Sequence, residues 1–550
     1  MDVTRDDVLK PQLLYPRSML PHVGQCDCDC ACSPETLVAV PAPEVSEGVW
    51  SAVPVGLSEA VDANWQAVVN PAGPVVVCVL NQPMRALWRA FAPPASLSSV
   101  LEQTEVMHRE TWRQAIAELA RAGLIRPVPN RMVETKHRSM LSVWLHVTDA
   151  CNLNCPYCYV EKRGLAMSPE QAAGLVARLL SLAEAHGYAA VQLKYAGGEP
   201  FLNQGAVRAA HEKAVRLSRR AGVKLHEVIL TNGTLISDEA LNFAAQEGVR
   251  LMISLDGGPA AHDSVRVSVD GNGTYQRIIE TIERAIGHGL LPELSVTLTT
   301  LNLREIDLAA DLALRYGLPF NLNFYRERLP PAVKRLEGTF YARRSGAREA
   351  GVVSTIPANQ MLMPSAGELI DALKAVFRVI ASYPAYQFPL TGILDRLRLD
   401  VPHERPCSAG HDYLVVNQQG QISPCQMLLG FPWSSLSSDD PLGEIREQGA
   451  EVFLPVQARP VCRDCSWRTI CAGGCPLLWG TEVHDRYCQV YRAVLPELVK
   501  LEAQRLIGAK TASLPRSTTP HTGHMDRCTK NTPEATRTPA PGSGGRCSIL

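Results

Sequence analysis

Cys151-Asn152-Leu153-Asn154-Cys155-Pro156-Tyr157-Cys158 sets three thiols within eight consecutive residues, directly after the apolar run SVWLHV at 142–147. Cysteine thiolates are the usual protein ligands of iron–sulfur clusters, commonly four per cluster. Three of them leave one iron without a protein ligand, and a small molecule can chelate that iron. Read alone, the spacing also fits a zinc knuckle short of one ligand. The residues on either side separate the two.

Downstream, apolar runs suited to strands recur as AVQLKYA (190–196), HEVILT (226–231), RLMISL (250–255), LSVTLTT (294–300) and NLNFYR (321–326). The segments between them read as helices. One opens on Ser168-Pro169 with Gln171 three residues after the serine, a capping box with proline at the first helical position. Six strands alternating with helices predict an α/β fold, a parallel sheet curled by right-handed connections into a partial (β/α)6 TIM-like barrel. In such barrels chemistry sits at the C-terminal strand ends. Cys151, Gly197, Asn232 and Asp256 each follow one of the first four strands.

The whole chain has 550 residues, 46% hydrophobic and 20% charged, with a formal net charge of −1. That length suits about three domains. The near-neutral balance gives no reason to expect nucleic acid or an anionic membrane as partner. No apolar run reaches the roughly 18–20 residues that cross a bilayer, and MDVTRDDVLKPQ is too polar for a secretory signal. A cytoplasmic location is expected, where 17 cysteines bind metal or do chemistry rather than pair as disulfides.

Glycine-rich and polar motifs follow the strands. Gly197-Gly198-Glu199-Pro200 ends the second, with Glu199 as an acceptor for an ammonium group. Thr231-Asn232 ends the third, to touch a ligand or cap the next helix. Ser254-Leu255-Asp256-Gly257 is followed by His262-Asp263, Arg266 and Gly271-Asn272-Gly273-Thr274-Tyr275. His146 and Asp149 flank the first strand's end and are expected to be structural. A second cysteine series runs Cys407-x12-Gly420-x4-Cys425, then Cys462-x2-Cys465-x5-Cys471-x3-Cys475-x12-Cys488. A zinc ribbon is the plain alternative for its CRDC half-site.

Together these motifs resemble the radical S-adenosylmethionine (radical SAM) superfamily and its SPASM branch. The resemblance implies that Cys151, Cys155 and Cys158 hold a [4Fe-4S] cluster whose open iron takes S-adenosylmethionine, which is cleaved to a 5′-deoxyadenosyl radical. It implies SAM contacts from Tyr157, Gly197, Gly198, Glu199, Asn232, Ser254, Asp256 and Arg266, with Ser254 and Arg266 on the SAM carboxylate. It implies two auxiliary [4Fe-4S] clusters, three clusters in all, one on Cys462, Cys465, Cys471 and Cys488. The other rests on Cys407, Cys425 and Cys475. Its fourth position is open, or taken by His411, Asp412 or a distant cysteine. The catalytic residues are not identified by the resemblance. In anaerobic sulfatase maturases of this branch an Asp follows the GX4C cysteine as base; here that position is Gln426.

Residues 50–130, with NPAGPVVVCVLNQPMRALWRAF, helices and GLIRP, loosely resemble a PqqD-like winged-helix peptide-recognition element, which adds a leader peptide as an extra strand. The expected organisation is a flexible Cys- and Pro-rich segment (1–48), the α+β winged-helix-like domain (49–135), the barrel (136–330), a bridging region (331–400), the SPASM domain (401–505) and a disordered tail (506–550). The expected function is oxidative modification, by thioether or C–C crosslinking, of a ribosomal precursor peptide bound through its leader, with a flavodoxin or ferredoxin as reductant. Two alternatives stand beside it: maturation of a protein, sulfatase-like or in quinone-cofactor assembly, and non-catalytic electron transfer. Cys26, Cys28, Cys30 and Cys32 are expected to be an unstructured tail without catalytic duty.

Overall fold

The computed structural model describes residues 10–16, 45, 47–71, 73–103, 109–128, 140–327, 334–336, 339–341, 362–384, 386 and 388–513. Cys26, Cys28, Cys30 and Cys32, and the tail beyond 513, lie outside the described residues.

The N-terminal domain comprises β1 (Leu13–Leu14), β2 (Val49–Ala52), β3 (Leu57–Ala60), β4 (Trp65–Val69), β5 (Val77–Asn81), α1 (Gln82–Arg89), β6 (Ala95–Ser96), α2 (Leu97–Glu102), α3 (Arg109–Arg121) and β7 (Ile125–Pro127). Two small sheets, ordered β1-β5-β4-β3 and β6-β2-β7, share a core of Trp50, Leu80, Phe91, Ile116 and Leu119. The expected strand at β5 and both expected helices are present. Gly123 sits just beyond α3 at φ +70, a left-handed turn that favours glycine. Residues 1–48 are not wholly without structure, contrary to what their composition suggests. Leu13 and Leu14 pair antiparallel with Leu80 and Val79, and Leu13 is buried in the domain core. Two apolar side chains meeting an open strand edge suffice to order them, a contact invisible to local composition.

The barrel begins with β8 (Met140–Thr148), buried at all nine positions because both faces are covered. Leu141, Val143, Leu145 and Val147 meet the helices, while Trp144 points to the opposite core. Then follow α4 (Pro169–Ala185), β9 (Ala190–Gly197), α5 (Gln204–Ala221), β10 (Lys224–Thr231), α6 (Asp238–Glu247), β11 (Arg250–Ser254), α7 (Pro259–Val265), α8 (Tyr275–Gly287), β12 (Glu293–Leu298), α9 (Ile306–Tyr316) and β13 (Phe320–Phe324). All six strands pair parallel in chain order, as predicted. Ser168 caps α4 with the reciprocal Gln171 bond.

The remainder holds a short hairpin, β14 (Lys334–Leu336) and β15 (Thr339–Tyr341), then α10 (Ala366–Ala381), β16 (Tyr413–Val416), β17 (Gln421–Ser423), β18 (Ser434–Ser435), α11 (Pro441–Val452) and α12 (Glu482–Ser513). The second cysteine region does not stand apart from the barrel. β16 pairs parallel with β8, so one nine-stranded sheet runs from β13 through β8 to β18. Nor does the last ordered region stop at 505, since α12 continues to Ser513 past Pro496. Leu495, Leu498 and Val499 fasten this helix into the main core, and Lys510 reaches back to Gln12. Backbone bonds from Val76 and Val77 to the carbonyls of Asp400 and Leu399 fix the N-terminal domain onto the same body.

Buried histidines give this fold an acid limit. Burial holds His146, His262 and His411 down to about 4 and His403 to about 3. The unfolded chain takes up these protons near pH 6.5 and the folded chain does not. Stability is therefore full above about pH 6.5 and falls as pH drops from there towards about 4. The melting temperature of metal-free protein should fall between about pH 7 and about pH 5. His403→Gln, which keeps a donor for the Ile470 carbonyl 2.8 Å from Nε2, should flatten that fall.

Candidate active site

The first cysteine loop is held in place by the ends of two strands. A register irregularity in β8 between His146 and Thr148 turns the chain as it leaves the sheet. Beside it, Gly198 N–H donates to the Thr148 carbonyl and Glu199 N–H to the Ala150 carbonyl, at 2.8 and 2.9 Å. A Cβ on Gly197 would stand 2.0 Å from the Thr148 oxygen, and one on Gly198 2.2 Å from the Ala150 oxygen. The motif predicts that these glycines admit a ligand; they also admit the cysteine loop's own backbone. On its far side the loop is clipped to residues 267–269, with Asn154 N–H donating to the Val267 carbonyl and Val269 N–H to the Asn152 carbonyl.

A cavity of about 190 Å³ opens over this loop. Cys151, Cys155, Cys158, Tyr157, Gly197, Gly198, Asn232, Ser254 and Arg266 all line it, so most of the sequence-predicted site comes together. Two residues do not. Glu199 is fully buried beneath the cavity and accepts bonds from Asn232 N, Thr231 Oγ1 and Phe201 N, at 2.7, 2.8 and 3.1 Å. Burial raises its pKa to about 7 against those three donors. The oxygens expected to receive an ammonium group instead tie the end of β9 to the end of β10. Asp256 is likewise fully buried. It accepts from Tyr157 Oη, from Arg266 Nε at 2.6 Å and from Thr297 N at 2.7 Å.

Arg266 is thus a buried ion pair rather than a surface one. Burial acts to lower its pKa, and Asp256 with the neighbouring Tyr157 and Cys155 together offset this, so the guanidinium stays charged. Only Nε is committed to Asp256, and among the described residues Nη1 and Nη2 bond to nothing. That leaves a charged two-donor edge at a cavity wall, the fork geometry that suits a carboxylate. The motif around it is a brace. Asp263 accepts from the N–H groups of Thr274 and Tyr275, Thr274 Oγ1 donates to the Arg266 carbonyl, and His262 Nδ1 accepts from Asp256 N–H. Asn232 does not cap α6, a task taken by Ser237. It bonds Asn152 at 2.9 Å and steadies the cysteine loop. Asp149 accepts from Leu165 N–H, a structural role as expected.

The seven cysteines of the second series form two neighbouring groups, with Cys475 also lining the void of the second. Cys407, Cys425 and Cys475 share one buried cluster with Trp144, Met427 and Tyr413. Cys462, Cys465, Cys471 and Cys488 surround a small void of about 30 Å³. Burial pushes Cys155 up to about 11, and Cys425 and Cys471 up to about 12. As free thiols these are neutral, so a group that binds them must displace protons. Among the described residues no three His, Cys, Asp or Glu side chains converge on a single metal-ion position. The donor set is the all-thiolate one of iron–sulfur clusters. Asp412, one of the residues considered for the fourth position, accepts from Tyr188 Oη and Arg446 Nη2 through its Oδ1.

Sequence reasoning singles out Gln426 but misses the rest of the cavity lining from Trp144, Tyr159, Asn323, Phe324, Tyr325, Arg326 and Met427. Tyr325 and Arg326 end the sixth strand run, where the strand-end rule would find them.

Residues 145–313 match the family profile of the Radical SAM superfamily. The chain carries a radical SAM domain. A serine-type anaerobic sulfatase-maturating enzyme of Klebsiella aerogenes is 25% identical over 361 residues, 62% of this chain and 81% of that one. The mycofactocin maturase MftC of Mycolicibacterium smegmatis is 28% identical over 212 residues, 37% of this chain and 49% of that one. Among solved structures, tagged anSMEcpe with bound AdoMet superposes with a TM-score of 0.50 at 16% identity, over 68% of this chain and 99% of that one. That likeness is one of fold. The radical SAM family brings with it SAM and a [4Fe-4S] cluster, and it makes this chain an enzyme. The electron-carrier alternative is set aside on that ground.

Gly198→Ala should break the approach of β9 to the cysteine loop, because the clash is with backbone that cannot swing aside. About four fewer irons per chain are expected after anaerobic reconstitution, with the other cysteine sites loaded. Iron and sulfide analysis checks this.

Proposed function

We propose that this radical SAM enzyme oxidatively crosslinks side chains of a ribosomally made precursor peptide. The observation that carries the reading is the shared cavity. The three-cysteine loop and Arg266 line it together with Gln426 and Met427, next in sequence to Cys425. A substrate between them would lie against both the first cluster and an auxiliary one.

When bound, SAM and its cluster supply a 5′-deoxyadenosyl radical able to abstract hydrogen. The protein's own residues bind, orient and dry the site. The free edge of Arg266 would receive the SAM carboxylate, and Ser254 and Asn232 line the same cavity. Trp144, Tyr159, Phe324 and Tyr325 wall the cavity against water. Cys407, Cys425 and Cys475 would hold one auxiliary cluster, and Cys462, Cys465, Cys471 and Cys488 the other, each able to receive the second electron of an oxidation.

The cavity lining holds no Asp, Glu, His or Lys among the described residues. Gln426, where a sulfatase maturase carries Asp, accepts a bond from Tyr413 Oη at 3.1 Å. Burial raises the Tyr325 pKa, which keeps the phenol protonated and unavailable as a base. A substrate that gives up its second proton without a carboxylate base fits this lining. A thiol does so readily, with an ordinary pKa near 8.5, and this favours a thioether product over oxidation of a serine hydroxyl. Maturation of a protein substrate is the second reading, favoured by the sulfatase-maturase relatives and weakened by Gln426.

The N-terminal domain is assigned to leader recognition. Among the described residues the outer edge of β3 has no partner strand, and its alternating burial fits strand addition.

Reconstituted enzyme given SAM and dithionite should release 5′-deoxyadenosine, and a cysteine-containing precursor should lose two hydrogens per bond formed. Arg266→Ala should weaken SAM binding by more than about tenfold, as loss of a charged hydrogen-bonding group does. Turnover of a sulfatase-derived peptide, with no mass change in the precursor, would replace this reading with the protein-maturase one.

A further inference from the structure

Beside the three-cysteine auxiliary site lies more positive charge than the protein itself neutralises. Arg396 is 4% exposed, and its Nε and Nη1 are buried without a hydrogen-bond partner among the described residues. The neighbouring carboxylate, Asp395, is engaged through one oxygen, and its Oδ1 is buried without a hydrogen-bond partner among the described residues. Its Oδ2 lies 2.5 Å from Arg326 Nη2 and accepts from Tyr491 Oη at 2.8 Å. Two guanidinium groups thus share one carboxylate. A buried charge left without counter-charge costs several kcal/mol, so this arrangement anticipates an anionic occupant.

The backbone points the same way. Asp395 is one of two non-glycine residues with positive φ among the described residues, at +42. Such conformations cost about 1–3 kcal/mol and persist where surrounding structure demands them. Here the strained turn is pinned by Asp395 N–H donating to the Leu322 carbonyl and Arg398 N–H to the Ile470 carbonyl. Tyr491, bonded to Asp395, also packs within 3.5 Å of a Cβ position on Gly474, the residue before Cys475. Arg396 lies within electrostatic reach of Cys407, Cys425 and Cys475.

We infer that Arg396 is a positioning residue for electron transfer: its fixed positive charge raises the reduction potential of the auxiliary cluster held by Cys407, Cys425 and Cys475. Reduction adds one negative charge to that cluster, and a buried cation alongside stabilises the reduced form over the oxidised one. Arg326 links this charge to the cavity, which it lines. The inference rests on the cluster assignment made under the proposed function, and the experiment separates the two.

Full-length wild type, Cys407→Ala, Arg396→Gln and Arg396→Lys are reconstituted anaerobically, and iron is counted first. Undiminished iron in Cys407→Ala would overturn the cluster assignment itself. Each protein is then titrated with dithionite, with the cluster signal followed by electron paramagnetic resonance. Arg396→Gln with full iron should bind the electron at least about tenfold more weakly, a shift of about 59 mV to lower potential for a one-electron couple. Arg396→Lys, which keeps the charge, should recover at least half of that shift. An unchanged potential in the iron-replete Gln variant overturns the inference. So does a Lys variant as low as Gln, or loss of iron from both, because charge alone would then not be what the residue supplies.

Discussion

The carboxylate of Asp256 is the tie on which the first site depends. It has no exposed surface, and it joins Tyr157 of the cysteine loop, Arg266 beyond β11 and the backbone of β12 at Thr297. Each partner is useless for binding unless held. Arg266 without Asp256 would be a buried cation free to choose other partners, and Tyr157 would leave the second and third cysteines without an anchor. A buried ion pair is a weak source of net stability. What it supplies here is orientation: with Nε committed, the terminal nitrogens have one direction left. Glu199 repeats the device one strand over, committing its oxygens to β10 so that Asn232 reaches the cysteine loop. Two acids that look like ligand contacts in the sequence are therefore the scaffold of the contacts.

Charge is arranged differently at the two ends of the cavity. Around the first loop, Asp256 balances Arg266, leaving three cysteines and a binding edge. Around Cys407, Cys425 and Cys475 the balance is positive, with Arg326 and Arg396 against Asp395. On the proposed function, this asymmetry would favour movement of an electron from a substrate in the cavity towards the side richer in positive charge.

Much of this architecture is legible in the amino-acid sequence. The six strand runs are short, rich in apolar and β-branched residues and separated by helical stretches, and all six appear where the pattern puts them. The cysteine spacings separate into two series, and it is the family resemblance that divides the second into two groups. What is not legible is long-range. β16 pairs with β8 across more than 260 residues, and nothing local in YLVV says so. β1 is two leucines that become a strand only because β5 offers an edge. Glu199 and Asp256 escape a motif reading for the same reason: a motif names a residue, whereas burial decides whether its side chain meets a ligand or a neighbour. Arg326 and Arg396 carry no motif at all, and their significance lies in one carboxylate shared between two cations.

The pairing of β16 with β8 has a consequence for the chemistry. If the auxiliary region were a separate domain on a linker, its distance from the first cluster would be set by linker entropy and would vary. Instead the register Tyr413–Ser142 through Val416–Leu145 sets it by backbone hydrogen bonds. Cys407 precedes that strand, and Cys425 follows the short turn and strand after it. The other auxiliary group is coupled by aromatic packing, since Phe324 of the cavity wall lies 4.5 Å from the Tyr487 ring and 5.3 Å from Tyr491, both beside Cys488 in the long helix α12. Electron transfer and radical chemistry both demand fixed separations. A continuous sheet provides one of them and a stacked aromatic contact the other, so the three cysteine groups form one rigid unit although they span more than 330 residues of sequence.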